Sequence, residues 1–310
     1  MNRPFACAAA ALLLAVTSTS PALAWTRPGH MVSAAIAYDE LKARDPTALA
    51  QILEILAHHP DPGPFEVAGG RATGEERDRR LFLQMARWPD DIRGGPQDHP
   101  TWHYAQRPVV DRNAPPPVTP ADRLDGDAIE ALALNIRVAG NPNAPAADRA
   151  VALCWVMHVL GDIHQPLHAA QQFSARFPKG DRGGGLQHVI DPQTGLPISL
   201  HWFWDDSVNR LGEADAASAR ARGLETRLPR KAFAELATPV AADQVPAWQA
   251  ESYALAGPVV YEGLVAGASA AEAKPLSPQY VAKATQAAER RLTLAGYRLA
   301  DLLIAIAAPR

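Results

Sequence analysis

The sequence has little cysteine and no excess of basic charge. Its 310 residues include two cysteines, Cys7 and Cys154, and 30 lysines and arginines stand against 33 acidic residues. A formal net charge of −3 does not suit a nucleic-acid-binding domain that works through a basic patch. An anionic ligand would therefore have to be attracted by something other than lysine and arginine.

The sequence also lacks an apolar run long enough to cross a membrane. The longest, residues 5–16, has 12 residues, whereas a spanning helix needs about 20. Arg3 precedes the run, and the small-residue site Ala22-Leu23-Ala24 follows it. This order is typical of a secretory signal peptide. We predict a leader over residues 1–24, cleavage before Trp25, and a periplasmic or secreted protein with one domain over residues 25–310.

Removal of the leader would leave a single cysteine, Cys154, and hence no intramolecular disulfide. It would also remove Arg3, so 29 basic side chains would remain against 33 acidic ones, a net charge near −4. Stability must then come from packing, or from bound metal.

Most of the chain has the three- and four-residue apolar spacing of helices. Helices are predicted over residues 31–58, 75–87, 127–138, 146–170 and 278–307. The glycine-rich stretch 179–205 contains two short alternating pieces, "QHVI" and "ISLH", that predict a small hairpin. The chain has no internal repeat and no linker between domains. The predicted fold class is all-α, a mainly helical single domain with a small β-hairpin near residues 186–201.

The stretch "HVLGDIHQPLH" carries potential metal ligands within an apolar helix. His158 and Asp162 are four residues apart, so they share one helix face and can bind the same cation or two adjacent ones. Pro166 bends or ends a helix. We expect this change of direction to turn His168 towards a second metal.

Each of these histidines alone is more often a packed core residue than a ligand. Further candidates elsewhere favour a metal site: "LHWFWDD" places His201 and Asp205 four residues apart, and "TWHY" offers His103. The segment "WPDDIR" offers two adjacent carboxylates, Asp90 and Asp91.

The predicted new amino terminus is itself a potential ligand. A free α-amine has a pKa of roughly 7.7 to 8.0 and can lose its proton to a metal. The amine and carbonyl of Trp25 would form a five-membered chelate ring, and His30 follows five residues later. Leader removal would then complete the site.

In the order and spacing of these motifs, the sequence resembles the zinc-dependent, single-strand-specific nuclease family of fungi, plants and bacteria, which is related to the bacterial zinc phospholipases C. The match runs from "AWTRPGH" through "WPDDIR", "TWHY" and "HVLGDIHQPLH" to "GDRGGG" and "LHWFWDD". It spans nearly the whole predicted mature chain.

The resemblance implies three zinc ions per chain. The implied ligand sets are Asp90, His103 and His158 for the first ion; the Trp25 amine and carbonyl with His30 for the second, bridged to the first by Asp162; and His168, His201 and Asp205 for the third. Between Asp90 and Asp91, the resemblance favours Asp90, which follows the tryptophan by two positions. Histidine and carboxylate ligands with open positions suit catalytic zinc.

The resemblance also implies the reaction. Zinc-bound hydroxide, activated at the ions held by Asp90 and Asp162, would attack phosphorus in single-stranded DNA or RNA and leave 5′-phosphate products, with 3′-nucleotidase activity as an extension. Three Zn²⁺ and three aspartates would leave the pocket about +3, which would attract phosphate without a basic patch. Tyr104 is a candidate for stacking on a base, and equally a core tyrosine beside a ligand.

Some features keep alternatives open. Relatives usually carry glycine at the position of Thr26, a change expected to be tolerated, and often an aspartate a few residues after the histidine that matches His103, where this chain has Gln106. A phospholipase C or another phosphoesterase therefore stays open, although such phospholipases have glutamate in place of Asp205. A non-catalytic periplasmic zinc binder is a third reading. The expected partners are single-stranded nucleic acid or nucleotides. We expect a monomer, with no stable membrane association and no obligate protein partner.

Overall fold

The computed structural model describes residues 25–111, 125–210, 212–238 and 242–308. The predicted signal peptide lies outside the described residues. Within them, the α-helices are α1 (Arg27–Arg44), α2 (Pro46–Leu56), α3 (Gly63–Gly69), α4 (Gly74–Asp91), α5 (Ala128–Ala139), α6 (Ala146–Asp162), α7 (Pro166–Ala169), α8 (Leu200–Asp205), α9 (Ala214–Arg227), α10 (Val245–Leu255) and α11 (Pro278–Ala307). Short 3₁₀ helices cover Pro100–His103, Arg230–Ala232, Ala234–Ala237, Ala242–Gln244 and Ala270–Glu272, and a π-helix covers Ala256–Tyr261.

Two small sheets complete the described fold. β1 (Arg107–Val110) pairs in parallel with β2 (Ala170–Phe173). β3 (His188–Ile190) pairs antiparallel with β4 (Pro197–Ser199) and in parallel with β5 (Lys274–Pro275). The β3–β4 pair is the predicted hairpin. The mainly helical fold class is therefore confirmed.

The first predicted helix, residues 31–58, is wrong in one respect because the structure has two helices there. Pro46 lacks a backbone N–H and crowds the preceding turn, so α1 ends at Arg44. Asp45 then caps α2 by accepting a hydrogen bond from the Ala48 N–H at 2.9 Å. A proline at the first turn is well suited to begin a helix.

The helix predicted over 146–170 also divides. α6 ends at Asp162, a turn follows, and Pro166 begins the four-residue α7. The Gln165 side chain accepts a hydrogen bond from the Leu167 N–H and caps α7. Pro166 thus begins a new segment that carries His168 in a new direction. Downstream, His201 lies in α8 instead of extending the hairpin.

The core lies between the long helices. α1 packs on α11, α4, α9 and α6, and α5 packs on α6. At the α1–α11 crossing, a Cβ on Gly296 would lie 2.7 Å from Cβ of Ile36, so glycine permits the close approach. Trp88, Trp155 and Trp204 are fully buried. No helix among the described residues is both long and apolar enough to cross a bilayer.

Candidate metal centre

Eight side chains from distant segments converge into three buried groups of potential metal ligands. In each group the ligand atoms lie within 4.8 Å of one another. The groups are the His30 cluster (His30, Asp90, His158), the His103 cluster (His103, His158, Asp162) and the His201 cluster (His168, His201, Asp205). The first two share His158 and are therefore contiguous.

The spacing of these atoms fits a bound metal. Two ligands at about 2.0 to 2.2 Å from a tetrahedral zinc lie roughly 3.4 Å apart. His158 Nε2 is 2.9 Å from His103 Nδ1 and 3.3 Å from Asp162 Oδ2. In the third cluster, His201 Nε2 is 3.3 Å from Asp205 Oδ2. The described residues therefore provide places where a single ion can contact several donors.

The two carboxylate oxygens of Asp162 face different clusters. Oδ1 lies 3.2 Å from His30 Nε2, and Oδ2 lies 3.1 Å from His103 Nδ1. Asp162 is fully buried. A carboxylate divided in this way is suited to bridge two cations.

Many of the potential metal-ligating atoms in the clusters have no hydrogen-bond partner. Buried polar groups are normally paired, so unpaired ones that share a site indicate a missing ion or water. Such atoms among the described residues are both ring nitrogens of His30, Asp90 Oδ2, His103 Nε2, Asp162 Oδ1, His168 Nε2 and Asp205 Oδ2.

Backbone carbonyls fix the orientation of the histidine rings. His158 Nδ1 lies 2.8 Å from the Ala86 carbonyl, and His201 Nδ1 lies 2.7 Å from the Gly183 carbonyl. Because a carbonyl only accepts, each Nδ1 must carry the proton and donate. Each Nε2 then presents its lone pair to the cluster, as metal-ligating histidines generally do.

Burial sets the charge state of these groups. It lowers the pKa of His30 to about 4 and that of His158 to about 3, so both rings are neutral at pH 7. It lowers the pKa of His103 as well, with a further contribution from His158. Burial raises the pKa of Asp162 to about 6, and raises that of Asp205. Neutral imidazoles are the form that binds metal.

Thr26 stands at the start of the helix that carries His30. Its hydroxyl oxygen accepts a hydrogen bond from the Gly29 N–H at 3.3 Å and caps α1. The same hydroxyl donates to the Asn209 carbonyl at 2.7 Å. The threonine therefore has a structural role at this position.

The two aspartates of "WPDDIR" contact different groups of residues. Asp90 is fully buried, and its Oδ1 lies 3.8 Å from His158 Nε2. Asp91 instead pairs with Arg27 and Arg87. Asp90 groups with His30 and His158, whereas the family resemblance implied a set of Asp90, His103 and His158.

Trp25, the first described residue, is fully buried beside the clusters. Its indole N–H donates to the Gly161 carbonyl at 2.9 Å. A Cβ on Gly161 would lie 3.0 Å from His30 Nδ1 and 3.8 Å from Trp25 Cδ1. Trp25 and His30 therefore pack against the same turn of α6.

A cavity of about 340 Å³ opens next to the clusters. Its lining includes His103, His168 and His201 together with Tyr104. Tyr104 is half-buried, which raises the pKa of its hydroxyl. Gln106 also lines the cavity and donates from Nε2 to the Leu167 carbonyl at 2.8 Å. Gln106 is thus tied to the backbone that leads into His168.

Four cavity or cluster neighbours were not singled out from the sequence: Arg93, Asp125, Gln165 and Arg182. Arg93 donates to Asp90 Oδ1 at 3.1 Å, and Gln165 donates to Asp205 Oδ1 at 2.7 Å. Both hydrogen bonds orient carboxylates of the clusters. Arginine and glutamine residues do not recur at a characteristic spacing from metal ligands in a sequence. The position of Gln165 directly before Pro166 is the one signal that could have identified any of these four residues.

His164, which the sequence analysis expects on a different helix face from His158, is not in a cluster. Its Nδ1 donates to the Leu160 carbonyl, and its Nε2 lies 2.9 Å from Arg298. The expected packing and hydrogen-bonding role fits these contacts. Of the three aromatic residues after His201, Phe203 and Trp204 are buried while Trp202 is 36% exposed.

Comparison with known proteins gives two matches. The sequence model of the S1/P1 nuclease family matches residues 25–308. The Arabidopsis thaliana protein named Endonuclease 2 is 30% identical over 159 residues, which is 49% of this chain and 50% of that protein. The chain thus spans about half the length of the curated relative it matches.

Proposed function

Because the chain belongs to the S1/P1 nuclease family, we propose that this nuclease cleaves single-stranded DNA and RNA with three zinc ions and leaves 5′-phosphate products. The single observation that carries the proposal is the convergence of eight buried histidine and aspartate side chains into three ligand clusters beside one cavity. The same site would act on the 3′-phosphate of nucleotides.

In this proposal the His30 cluster and the His103 cluster would each hold one ion, with the Asp162 carboxylate facing both, and the His201 cluster would hold the third. Asp90 would be a further ligand at this pair of ions. The α-amine and carbonyl of Trp25 would add ligands that side chains do not supply. When bound, zinc supplies Lewis acidity, which lowers the pKa of coordinated water and neutralises charge on phosphoryl oxygens.

The chain's own residues prepare this chemistry. Hydrogen bonds from Nδ1 of His158 and His201 to backbone carbonyls keep the opposite ring nitrogens directed inward. Arg93 and Gln165 orient Asp90 and Asp205. Because burial keeps His30 and His158 neutral, their lone pairs are available at pH 7 without loss of a proton. In our proposal Tyr104 stacks on a base at the cavity.

We also propose that the protein is exported and that its leader is removed before Trp25. The buried position of Trp25 supports this. Its indole donates to the Gly161 carbonyl, and Gly161 also packs against His30, so an amine released at Trp25 would lie next to the His30 cluster. Amino-terminal sequencing of the protein recovered from the periplasm or medium tests the cleavage site. We expect it to act as a monomer without a protein partner, which light scattering on the purified protein tests.

Product analysis on four substrates tests the proposed activity. The purified protein is incubated with single-stranded DNA, RNA, duplex DNA and phosphatidylcholine vesicles, before and after chelation and zinc re-addition. We expect zinc-dependent cleavage of both single strands to 5′-phosphate products. Cleavage of phosphatidylcholine without cleavage of nucleic acid would identify a phospholipase, and metal binding without any hydrolysis would identify a zinc-binding protein. Asp162→Asn, purified identically, controls for contaminating nucleases.

A further inference from the structure

Arg182 is an arginine of the cavity lining and lies in the loop between β2 and β3. It lines the cavity together with His103, His168 and His201, and it is exposed to solvent. The next residue, Gly183, provides the carbonyl that orients His201. Arg182 is therefore attached directly to the backbone that shapes the His201 cluster.

The backbone of Arg182 adopts a conformation that residues with side chains rarely take. Its φ is 56°, and the following Gly183 and Gly184 have φ of 58° and 80°. Arg182 is the non-glycine residue with positive φ among the described residues. The left-handed region carries a steric cost for any residue with a Cβ, and such costs concentrate at functional sites. Glycine would remove the cost here, yet the chain has arginine.

Close contacts hold this loop against the cluster. A Cβ on Gly183 would lie 2.2 Å from Gln106 Nε2 and 2.5 Å from the Leu167 carbonyl oxygen. The loop therefore approaches the backbone before His168 as nearly as glycine allows. This fixes the place from which the Arg182 side chain extends.

Charge distinguishes the two arginines of the cavity. Arg93 pairs with Asp90 at 3.1 Å, so its charge is compensated. The guanidinium of Arg182 has neither a hydrogen bond nor an ion pair with any residue that the structure describes. Asp125 also lines the cavity, but it forms no ion pair with Arg182; its carboxylate accepts from Gln171 Nε2 at 3.5 Å. Arg182 thus brings to the cavity a guanidinium that has no ion-pair partner among the described residues.

We propose that Arg182 binds the phosphate that neighbours the scissile phosphate in a single strand. This inference rests on the proposed function, which places the scissile phosphate at the clusters. A guanidinium donates two parallel hydrogen bonds to a phosphate, and an exposed, unpaired one loses no existing partner by doing so. Arg182 is therefore a specificity residue that favours chains of nucleotides over substrates with a single phosphate.

Short thymidine substrates test the proposal. A dinucleotide has one phosphodiester and no neighbouring phosphate, whereas a trinucleotide has two. For Arg182→Gly, which relieves the backbone strain, the ratio of kcat/KM for trinucleotide to that for dinucleotide should fall about tenfold. The salt dependence of trinucleotide binding should weaken by about 0.7 in the log–log slope, the value for one single-strand contact. Arg182→Lys should recover part of the ratio.

A neutral linkage sharpens the test. Two isomers of the trinucleotide are made, in which a methylphosphonate replaces the phosphate on one side or on the other side of the remaining phosphodiester. The wild type should lose kcat/KM on one of the two isomers, the one that lacks the charged phosphate bound by Arg182. Arg182→Gly should show no further loss on that isomer. Arg71→Ala, which removes an exposed arginine outside the cavity lining, should leave every ratio unchanged.

The outcomes separate this inference from the proposed function. If the wild type cleaves no oligonucleotide, the proposed function fails. The role of Arg182 is overturned if the wild type cleaves oligonucleotides but Arg182→Gly loses kcat/KM equally on the trinucleotide and the dinucleotide, or keeps the wild-type ratio of the two. Loss of bound metal in Arg182→Gly would also overturn it. A lower ratio with unchanged metal content supports it.

Discussion

The Nδ1 atom of His168 donates a hydrogen bond to the backbone carbonyl of His103 at 2.6 Å. In return, the carbonyl of His168 accepts from the Ala105 N–H at 2.9 Å. The parallel pairing of β1 with β2 begins two residues later, with Arg107 opposite Ala170. Two segments far apart in the sequence are thus joined in register, and this fixes the His103 cluster relative to the His201 cluster. The spacing of the ligand clusters is set by the backbone.

Asp162→Ala should remove at least two metal ions and nearly all activity. Its two oxygens face His30 and His103, so loss of the carboxylate takes a ligand from both clusters at once. Metal content by mass spectrometry, with nuclease assays, measures both effects. Asp39→Asn, which removes a carboxylate of α1 that pairs with Arg79, is the control and should retain full metal. Wild-type metal content in Asp162→Ala would refute the bridging role.

Zinc binding to the metal-free protein should weaken as the pH falls below about 6. Burial raises the pKa of Asp162 to about 6, so at lower pH the metal must displace a proton from this carboxyl. The pKa values of about 4 and about 3 for His30 and His158 mean that these rings stay neutral until much lower pH. We expect about a tenfold loss of affinity per pH unit from the one proton of Asp162.

Competition with a chelator at pH 5, 6 and 7 measures this dependence at the His103 cluster, which contains Asp162, and at the His30 cluster, which Asp162 Oδ1 faces. Between pH 7 and pH 6 we expect about a tenfold loss of affinity, from the one proton of the Trp25 amine, and below pH 6 the loss steepens to about a hundredfold per unit as Asp162 takes up a second proton. A steep loss centred near pH 6.5, as several ordinary histidines would produce, would contradict the account.

Gly183→Ala should destabilise the protein more than Gly195→Ala. Both glycines have positive φ, 58° and 71°, so alanine strains each backbone by about 1 kcal/mol. Only Gly183 also meets neighbours, Gln106 and the Leu167 carbonyl, whereas a Cβ at Gly195 would meet nothing within 4 Å. The overpacking adds about 2 kcal/mol at Gly183. Urea unfolding measures the free energy of unfolding of both variants. Equal losses of stability would show that the close approach of Gly183 to Gln106 and the Leu167 carbonyl does not restrict the residue at this position.

Tyr104→Ala should weaken the binding of nucleotides more than that of a small phosphodiester without a base. Loss of a base-stacking ring is worth roughly 1 to 3 kcal/mol, so KM for oligonucleotides should rise about fivefold or more. KM for methyl para-nitrophenyl phosphate should change little, and Tyr104→Phe should retain oligonucleotide binding. Equal losses on both substrates would show that the ring supports His103 structurally.

The sequence predicted the ligand groups because their spacing is local. His158 with Asp162, and His201 with Asp205, are four residues apart on helices that the structure confirms at these residues. The family assignment that these motifs suggested is confirmed by the match over residues 25–308. Identity of the individual ligands stays a prediction, as do the zinc ions themselves.

The sequence predicted less where tertiary contacts decide. Pro46 and Asp45 together signal a helix start, but the apolar spacing continues across them and concealed the break between α1 and α2. The parallel β1–β2 pair joins segments some sixty residues apart, as the Arg107–Ala170 register shows, and nothing local in either segment indicates its partner. Likewise, the unpaired charge of Arg182 is visible only once the cavity is formed.

The central claim is that three metal ions occupy one contiguous centre built from these clusters. Anomalous diffraction at the zinc edge, on crystals of the processed protein whose first residue has been established, tests it most directly. The account predicts three peaks, two of them flanking Asp162 and the third between His168, His201 and Asp205. Fewer than three peaks, or peaks remote from these side chains, would contradict it.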